Sequence, residues 1–166
     1  MTTDSPPGTD NRRAIVRIFA HYVLRAMSSL ARLNGGDAIE FLTFTGVWTL
    51  NSQHLIGEDR FAPLRNIPPD AFRRPATFEE LQRLLAIPAD ILEPYVERLI
   101  EKDIVERSAG GGLVVPSAVF AQPMMLDATN ELYSRAVALV ASMRAAGFSF
   151  GDEGSNELDH GGHASS

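Results

Sequence analysis

The sequence predicts a mainly α-helical domain carrying one small β-hairpin. Three observations predict it. Several long stretches repeat apolar residues at the helical spacing. Three of these stretches open on capping-type sequences, Asp37-Ala38-Ile39-Glu40, Thr77-Phe78-Glu79-Glu80 and Asp90-Ile91-Leu92-Glu93. Two short β-prone runs also flank the turn-forming sequence Arg107-Ser108-Ala109-Gly110-Gly111-Gly112. With 166 residues and 45% hydrophobic content, the chain can bury a real core and is too apolar for wholesale disorder.

The first helix is expected over about 11–33. Ile15, Ile18, Phe19, Tyr22, Val23, Met27, Leu30 and Leu33 make its apolar stripe, five arginines (Arg12, Arg13, Arg17, Arg25, Arg32) its polar side, and Asn34-Gly35-Gly36 its stop. The second starts at Asp37 and runs to about His54 through Phe41, Leu42, Phe44, Thr45 and Trp48. It is apolar nearly all round, the mark of a central helix. The connection 55–75 holds Pro63, Pro68, Pro69 and Pro75 and reads as irregular, apart from one short turn near 70–73.

A short helix follows from Thr77 to about Leu85, then the tight turn Ala86-Ile87-Pro88-Ala89. The next helix runs from Asp90 to about Asp103, with Pro94 in its first turn, where a missing N–H does least damage. Runs 104–106 and 113–115 form the hairpin. A last helix is expected over 128–146, capped by Asp127, with Leu132, Val137, Leu139, Val140 and Met143 as its apolar residues and Gly147 as its end. The folded region is thus 11–147. Segment 1–10 and the Gly-, Ser- and acid-rich segment 148–166 read as disordered tails.

Composition excludes several kinds of chemistry. No cysteine is present, which removes disulfides, thiolate nucleophiles and cysteine zinc sites. No apolar run approaches the ~18–20 residues of a membrane span. Segment 1–10 lacks the charged-then-apolar pattern of a secretory signal, so a cytoplasmic chain without a membrane partner is expected. His21, His54, His160 and His163 stand in no acid, base or metal spacing with carboxylates. Glycine-rich nucleotide loops, nucleophile elbows and His-Glu-x-x-His runs are missing, which points away from an enzyme and from a cofactor or metal.

Helix, tight turn, helix and hairpin over 76–117 is the order of a winged helix-turn-helix. Phe78, Leu81, Leu84 and Leu85 would face the core from its first helix, and Ile91, Leu92, Tyr95, Val96, Leu99 and Ile100 from its second. Ile87 would plug the turn, and Ile104 and Val114 would seat the wing.

Through Thr77-Phe78-Glu79-Glu80-Leu81-Gln82-Arg83-Leu84-Leu85-Ala86-Ile87 and Val96-Glu97-Arg98-Leu99-Ile100-Glu101-Lys102-Asp103-Ile104-Val105-Glu106-Arg107, the chain resembles the MarR-type (multiple-antibiotic-resistance) family of dimeric repressors. Element order matches over about 11–146. The resemblance implies a homodimer held by the N- and C-terminal helices, reading double-stranded DNA with one recognition helix per major-groove half-site. Carried over by position, Ala89, Asp90, Glu93, Pro94, Glu97 and Arg98 would face the groove, with Arg107 and Ser108 at the wing. It also implies a small apolar effector, for which Tyr22, Phe41, Phe44 and Trp48 are the candidate lining, although core packing explains the same aromatics.

Charge runs against that pattern. Residues 79–106 hold Glu79, Glu80, Asp90, Glu93, Glu97, Glu101, Asp103 and Glu106 against Arg83, Arg98 and Lys102. Phosphate contacts supply most non-specific DNA affinity, and acids weaken them. Arg60, Arg65, Arg73 and Arg74 precede the unit, and Arg73 and Arg74 could grip phosphates if they flank it in space. The alternative is a winged helix used for protein–protein contact, its acidic face meeting a basic partner. A basic stripe beside the recognition helix would favour DNA, and an acidic face with no flanking base would favour a protein.

Overall fold

The computed structural model describes residues 10–33 and 35–149. The expected tails fall almost wholly outside the described residues, as do His160 and His163. The described chain is mainly helical, with a small two-stranded antiparallel sheet. In order it forms α1 (Arg12–Leu33), α2 (Ala38–Ser52), α3 (Phe78–Leu85), α4 (Ala89–Glu101), β1 (Glu106–Arg107), β2 (Leu113–Val114), α5 (Ser117–Phe120) and α6 (Pro123–Ala145). Single 3-10 turns stand at Gln53–Leu55, Asp59–Phe61 and Asp70–Phe72 in the proline-bearing connection. The chain divides into two compact units, Arg25–Tyr133 and the remainder on either side of it.

In the larger unit α2 is central, as its all-round apolar character predicts. Phe44 and Val47 join Leu81 of α3, Leu92, Val96 and Leu99 of α4, Val105, Leu113 and Val115 around the hairpin, and Val119 of α5 in one buried cluster. A Cβ on Gly46 would come within 2.7 Å of the Leu81 Cδ1, so the bare glycine is what lets α3 close onto α2. Leu92, Val96 and Leu99 sit at i, i+4 and i+7, the inward stripe of α4. Ile91, one residue off that stripe, is exposed rather than buried, and so is Leu84 of α3, contrary to expectation.

Helix starts divide into those the sequence placed and those it misplaced. Asp37 caps α2, its carboxylate accepting from the N–H groups of Ile39 and Glu40 at 3.0 and 3.1 Å. At α3 the capping box is reciprocal. Thr77 Oγ1 accepts from the Glu80 N–H at 3.1 Å, and Glu80 Oε2 accepts from the Thr77 N–H at 2.9 Å. The expected box at Asp90 is not formed. Pro88, with φ fixed at −55°, is the cap, and its carbonyl accepts from Leu92 N–H at 2.9 Å. α4 therefore starts at Ala89, and Pro94 falls in the second turn, where no N–H is left for the Asp90 carbonyl. α6 likewise starts early, because Pro123 is pre-shaped for a first helical position; Asp127 lies inside the helix instead of capping it.

The hairpin pairs Glu106 with Val114 and Arg107 with Leu113. Val105 and Val115 are buried, while Ile104 and Val114 are only half-buried, so the inward set is one residue away from the expected one. The cause is the left-handed Asp103 (φ +55°), after which Ile104 and Val105 both donate to the Leu99 carbonyl, at 3.0 and 3.2 Å. Ala76 adds a two-way bridge to Leu113, at 2.9 and 2.7 Å. The fully buried Asn51 locks this arrangement. Its Nδ2 donates to the carbonyls of Arg74 (2.7 Å) and Leu113 (2.9 Å), and its Oδ1 accepts from Val115 N–H at 2.9 Å.

In the smaller unit, the Tyr22 hydroxyl and Ser142 Oγ share a hydrogen bond of 2.8 Å, and Asn11 Nδ2 donates to the carbonyls of Ala146 and Gly147 at 2.9 and 2.8 Å. Gly147 (φ +80°) ends α6 as expected. Its N–H donates to Arg144 and that of Phe148 to Met143, the Schellman pattern. Val16, Phe19, Leu24 and Val137 are exposed.

One helix bears on the expected absence of a membrane span. Arg12–Arg32 is long and apolar enough to cross a membrane by length and composition, with mean hydropathy 1.2 and 6% of that window buried. Arg17 and Arg25 oppose such a placement, since an arginine at a bilayer centre costs about 2.5–3.5 kcal/mol.

Replacing Asn51 with Ala strands a buried N–H and two carbonyls, so urea denaturation is expected to show a loss of about 3 kcal/mol or more. Ala86, at φ +54°, ends α3 in a left-handed conformation that a Cβ disfavours. Ala86→Gly is expected to raise the denaturation midpoint by the equivalent of about 0.5–1 kcal/mol.

Candidate interaction face and neighbouring cavity

Because Leu92, Val96 and Leu99 turn inward, α4 presents its other side to solvent. Ala89, Asp90, Glu93, Pro94, Glu97 and Arg98, the residues expected to face a partner, are all exposed there. Their charges are not equivalent. Arg98 turns back toward the start of α2, where its Nη1 donates to Asp37 Oδ2 at 3.1 Å and Glu40 Oε2 at 3.3 Å, and its guanidinium lies 4.8 Å from the Tyr95 ring centre. Lys102 Nζ donates to Glu40 Oε1 at 2.5 Å. Glu40 is buried, and a buried carboxylate without partners would cost several kcal/mol, so it holds both cations inward. Asp90, Glu93 and Glu101 are left on the outer face with no cation partner among the described residues.

The remaining residues expected to contact DNA are similarly engaged. Arg107 of β1 is paired with Glu97. Ser108 closes the hairpin tip, its Oγ accepting from Gly112 N–H at 3.1 Å and its own N–H donating to the Gly112 carbonyl at 2.7 Å. Arg74 Nη2 meets Glu80 Oε1 at 2.6 Å. Upstream, Arg60 pairs with Glu58 at 3.1 Å and lies over the rings of Phe61 and Phe72, and Arg65 is exposed.

Arg73 is a correction. Its side chain is only 2% exposed, with Nη2 donating to the Pro68 carbonyl at 3.2 Å and the guanidinium 4.9 Å from the Phe120 ring centre. Packing against Phe120 draws it off the surface, where it cannot grip the backbone phosphates of a duplex. Exposed pairs are each worth only about 0–1 kcal/mol. The decisive feature of the face is therefore its uncompensated acid, not the strength of any one pair.

Phe41, Phe44 and Trp48, three of the four expected effector-lining residues, are brought together at an apolar cavity of about 110 Å³. Tyr22 is not among its lining residues and belongs to the other compact unit. The cavity is completed by Leu30, Phe120, Met124, Met125 and Leu132 among others. Sequence reading missed Met124 and Met125 because it started the last helix after them; Pro123 was the available signal.

Two carboxyls at the face are held below the usual carboxylate range. For Asp37 the hydrogen bond from the Glu40 backbone N–H is the main cause, with Ile39 N–H and Arg98 adding to it. For Glu80 it is the Thr77 backbone N–H, with Arg74 adding charge attraction. The Arg98 guanidinium is pushed up, chiefly by its bond to Glu40. A carboxyl whose folded pKa is depressed contributes stability above its unfolded pKa and loses it as pH falls through the folded value. Thermal denaturation midpoints are thus expected to stay flat near neutrality and to drop as pH falls through and below the ordinary carboxylate range. In Asp37→Asn with Glu80→Gln the acid-side drop should be smaller.

No family model, curated protein or solved structure matches this chain.

Proposed function

We propose that residues 76–117 form a winged helix-turn-helix, and that the chain uses it as a protein-interaction module whose acidic α4 face meets a basic surface on a partner. One observation carries this reading. Asp90, Glu93 and Glu101 stand uncompensated on the outer face of α4, while Arg74, Arg98 and Arg107 are each engaged by an acid and Arg73 is buried. A duplex would bring further negative charge to a surface where, of the described bases from Arg60 to Arg107, only Arg65 and Arg83 are exposed without an acid partner, too few to make a basic stripe. A cationic protein surface gains instead from the same complementarity.

The exposed Val16, Phe19, Leu24 and Val137 of α1 and α6 support a homodimer built on these helices, since a lone chain gains nothing by leaving them in water. A second reading is a MarR-type dimeric, DNA-binding transcriptional regulator responsive to a small apolar effector. It is favoured by the bareness of α4 and by the apolar cavity at Phe41, Phe44 and Trp48. Glutamate can accept from cytosine N4, but it needs cationic neighbours to approach the backbone.

The two readings separate in one titration. Duplexes from the gene's own upstream region are added to the folded chain at low salt and followed by fluorescence anisotropy. The interaction-module reading expects no saturable binding. Sequence-dependent binding that weakens steeply with salt would overturn it in favour of the regulator. In affinity capture, an Asp90→Lys, Glu93→Lys double variant is expected to lose the partners that the unaltered chain retains.

A further inference from the structure

A second, half-open cavity of about 170 Å³ lies against Trp48, the proline-bearing connection and Phe120. Its walls are mostly apolar, with Phe61, Leu64 and Leu126 beside those two aromatics, and the one charged side chain lining it is Arg73. That side chain is 98% shielded from solvent, being 2% exposed, yet it is poorly served. Nη2 has the Pro68 carbonyl, and Nε has no hydrogen-bond partner. Asp70 forms a long ion pair with Nε at 3.4 Å without accepting a hydrogen bond from it, and its Oδ1 already accepts from the Ser117 N–H at 2.6 Å. Phe120 offers the cation an attractive ring but no oxygen acceptor.

A guanidinium carries five donors and keeps its proton in proteins, so a buried donor without an acceptor is a standing cost. Aliphatic packing alone would be met more cheaply by Leu or Met. The acceptor that fits a planar cationic fork best is a carboxylate. We propose that this cavity binds a small monocarboxylic acid with an apolar body, its carboxylate on Arg73 and its hydrocarbon against Trp48, Phe120 and Leu126. Ser52, Asn66 and Thr129 supply further polar groups in the lining. The more apolar cavity shares Trp48, Phe120 and Thr129 with this one, which gives a longer hydrocarbon somewhere to continue. Whether α4 meets a protein or DNA has no bearing on this site.

Trp48 is the single tryptophan of the chain and lines both cavities, so its fluorescence reports occupancy directly. The full chain is titrated with octanoate and, separately, with neutral octanamide. Octanoate is expected to saturate and to bind at least about tenfold tighter, equivalent to about 1.4 kcal/mol. Arg73→Gln is expected to reduce octanoate to the affinity of octanamide. Should that variant not fold, Asp70→Asn keeps an acceptor for the Ser117 N–H and removes the competing acid, and is expected to tighten octanoate about threefold or more. Equal affinity for the two compounds would mean an apolar cavity alone and would overturn the proposal. So would octanoate that fails to saturate, or an Asp70→Asn affinity no tighter than that of the unaltered chain.

Discussion

The side chain of Asn51 is buried completely, and every part of it that can hydrogen-bond to backbone does so. It ties α2 to the end of the connection at Arg74, to β2 at Leu113 and to Val115 just beyond, positions as far as 64 residues away in sequence. A buried amide with open valences would cost several kcal/mol, so these groups come together or the core does not close. With Arg74 and Leu113 fixed, Ala76 bridges Leu113 and Thr77 stands where it can cap α3. The hairpin in turn seats Val105 and Val115 on the apolar side of α4. The exposed side of α4 is thereby set as well, since whatever does not face this core faces outward.

Charge completes what packing begins. Glu40, buried at the start of α2, is served by both Arg98 and Lys102, the cations of the second half of α4. Two of the bases that could have moderated the α4 surface are thus engaged by one interior carboxylate and by Asp37. Asp90, Glu93 and Glu101 stay outside. The same fold that sets α3 and α4 on either side of a tight turn therefore gives α4 an acidic outer face, and the proposed function follows from that pairing rather than from the order of the elements.

Much of this was legible in the sequence. The helical spacing of α1, α2 and α4, the Thr77–Glu80 box and the Gly147 stop depend on neighbours a few residues apart, and all of these stand in the structure. What was not legible depends on long-range contact or on one unusual backbone angle. Asn51 reads as an indifferent residue near a helix end until its distant backbone partners are known. Arg73 looks like loop surface until Phe120 covers it. The hairpin faces were shifted by one residue because Asp103 turns left-handed, which no periodicity reports. Tyr22 and Phe41 share the aromatic character of an effector lining, but only the second lines the cavity.

The most direct test of the acidic-face account is a residue-resolved one. A ¹⁵N-labelled chain would be titrated at low salt with a lysine-rich peptide and with duplex DNA, and amide shifts followed along α4. The account expects the peptide to move the signals of Asp90, Glu93 and Glu101 progressively, and the duplex to leave them in place. Duplex-induced shifts concentrated on these residues and Arg107, with none from the peptide, would contradict it.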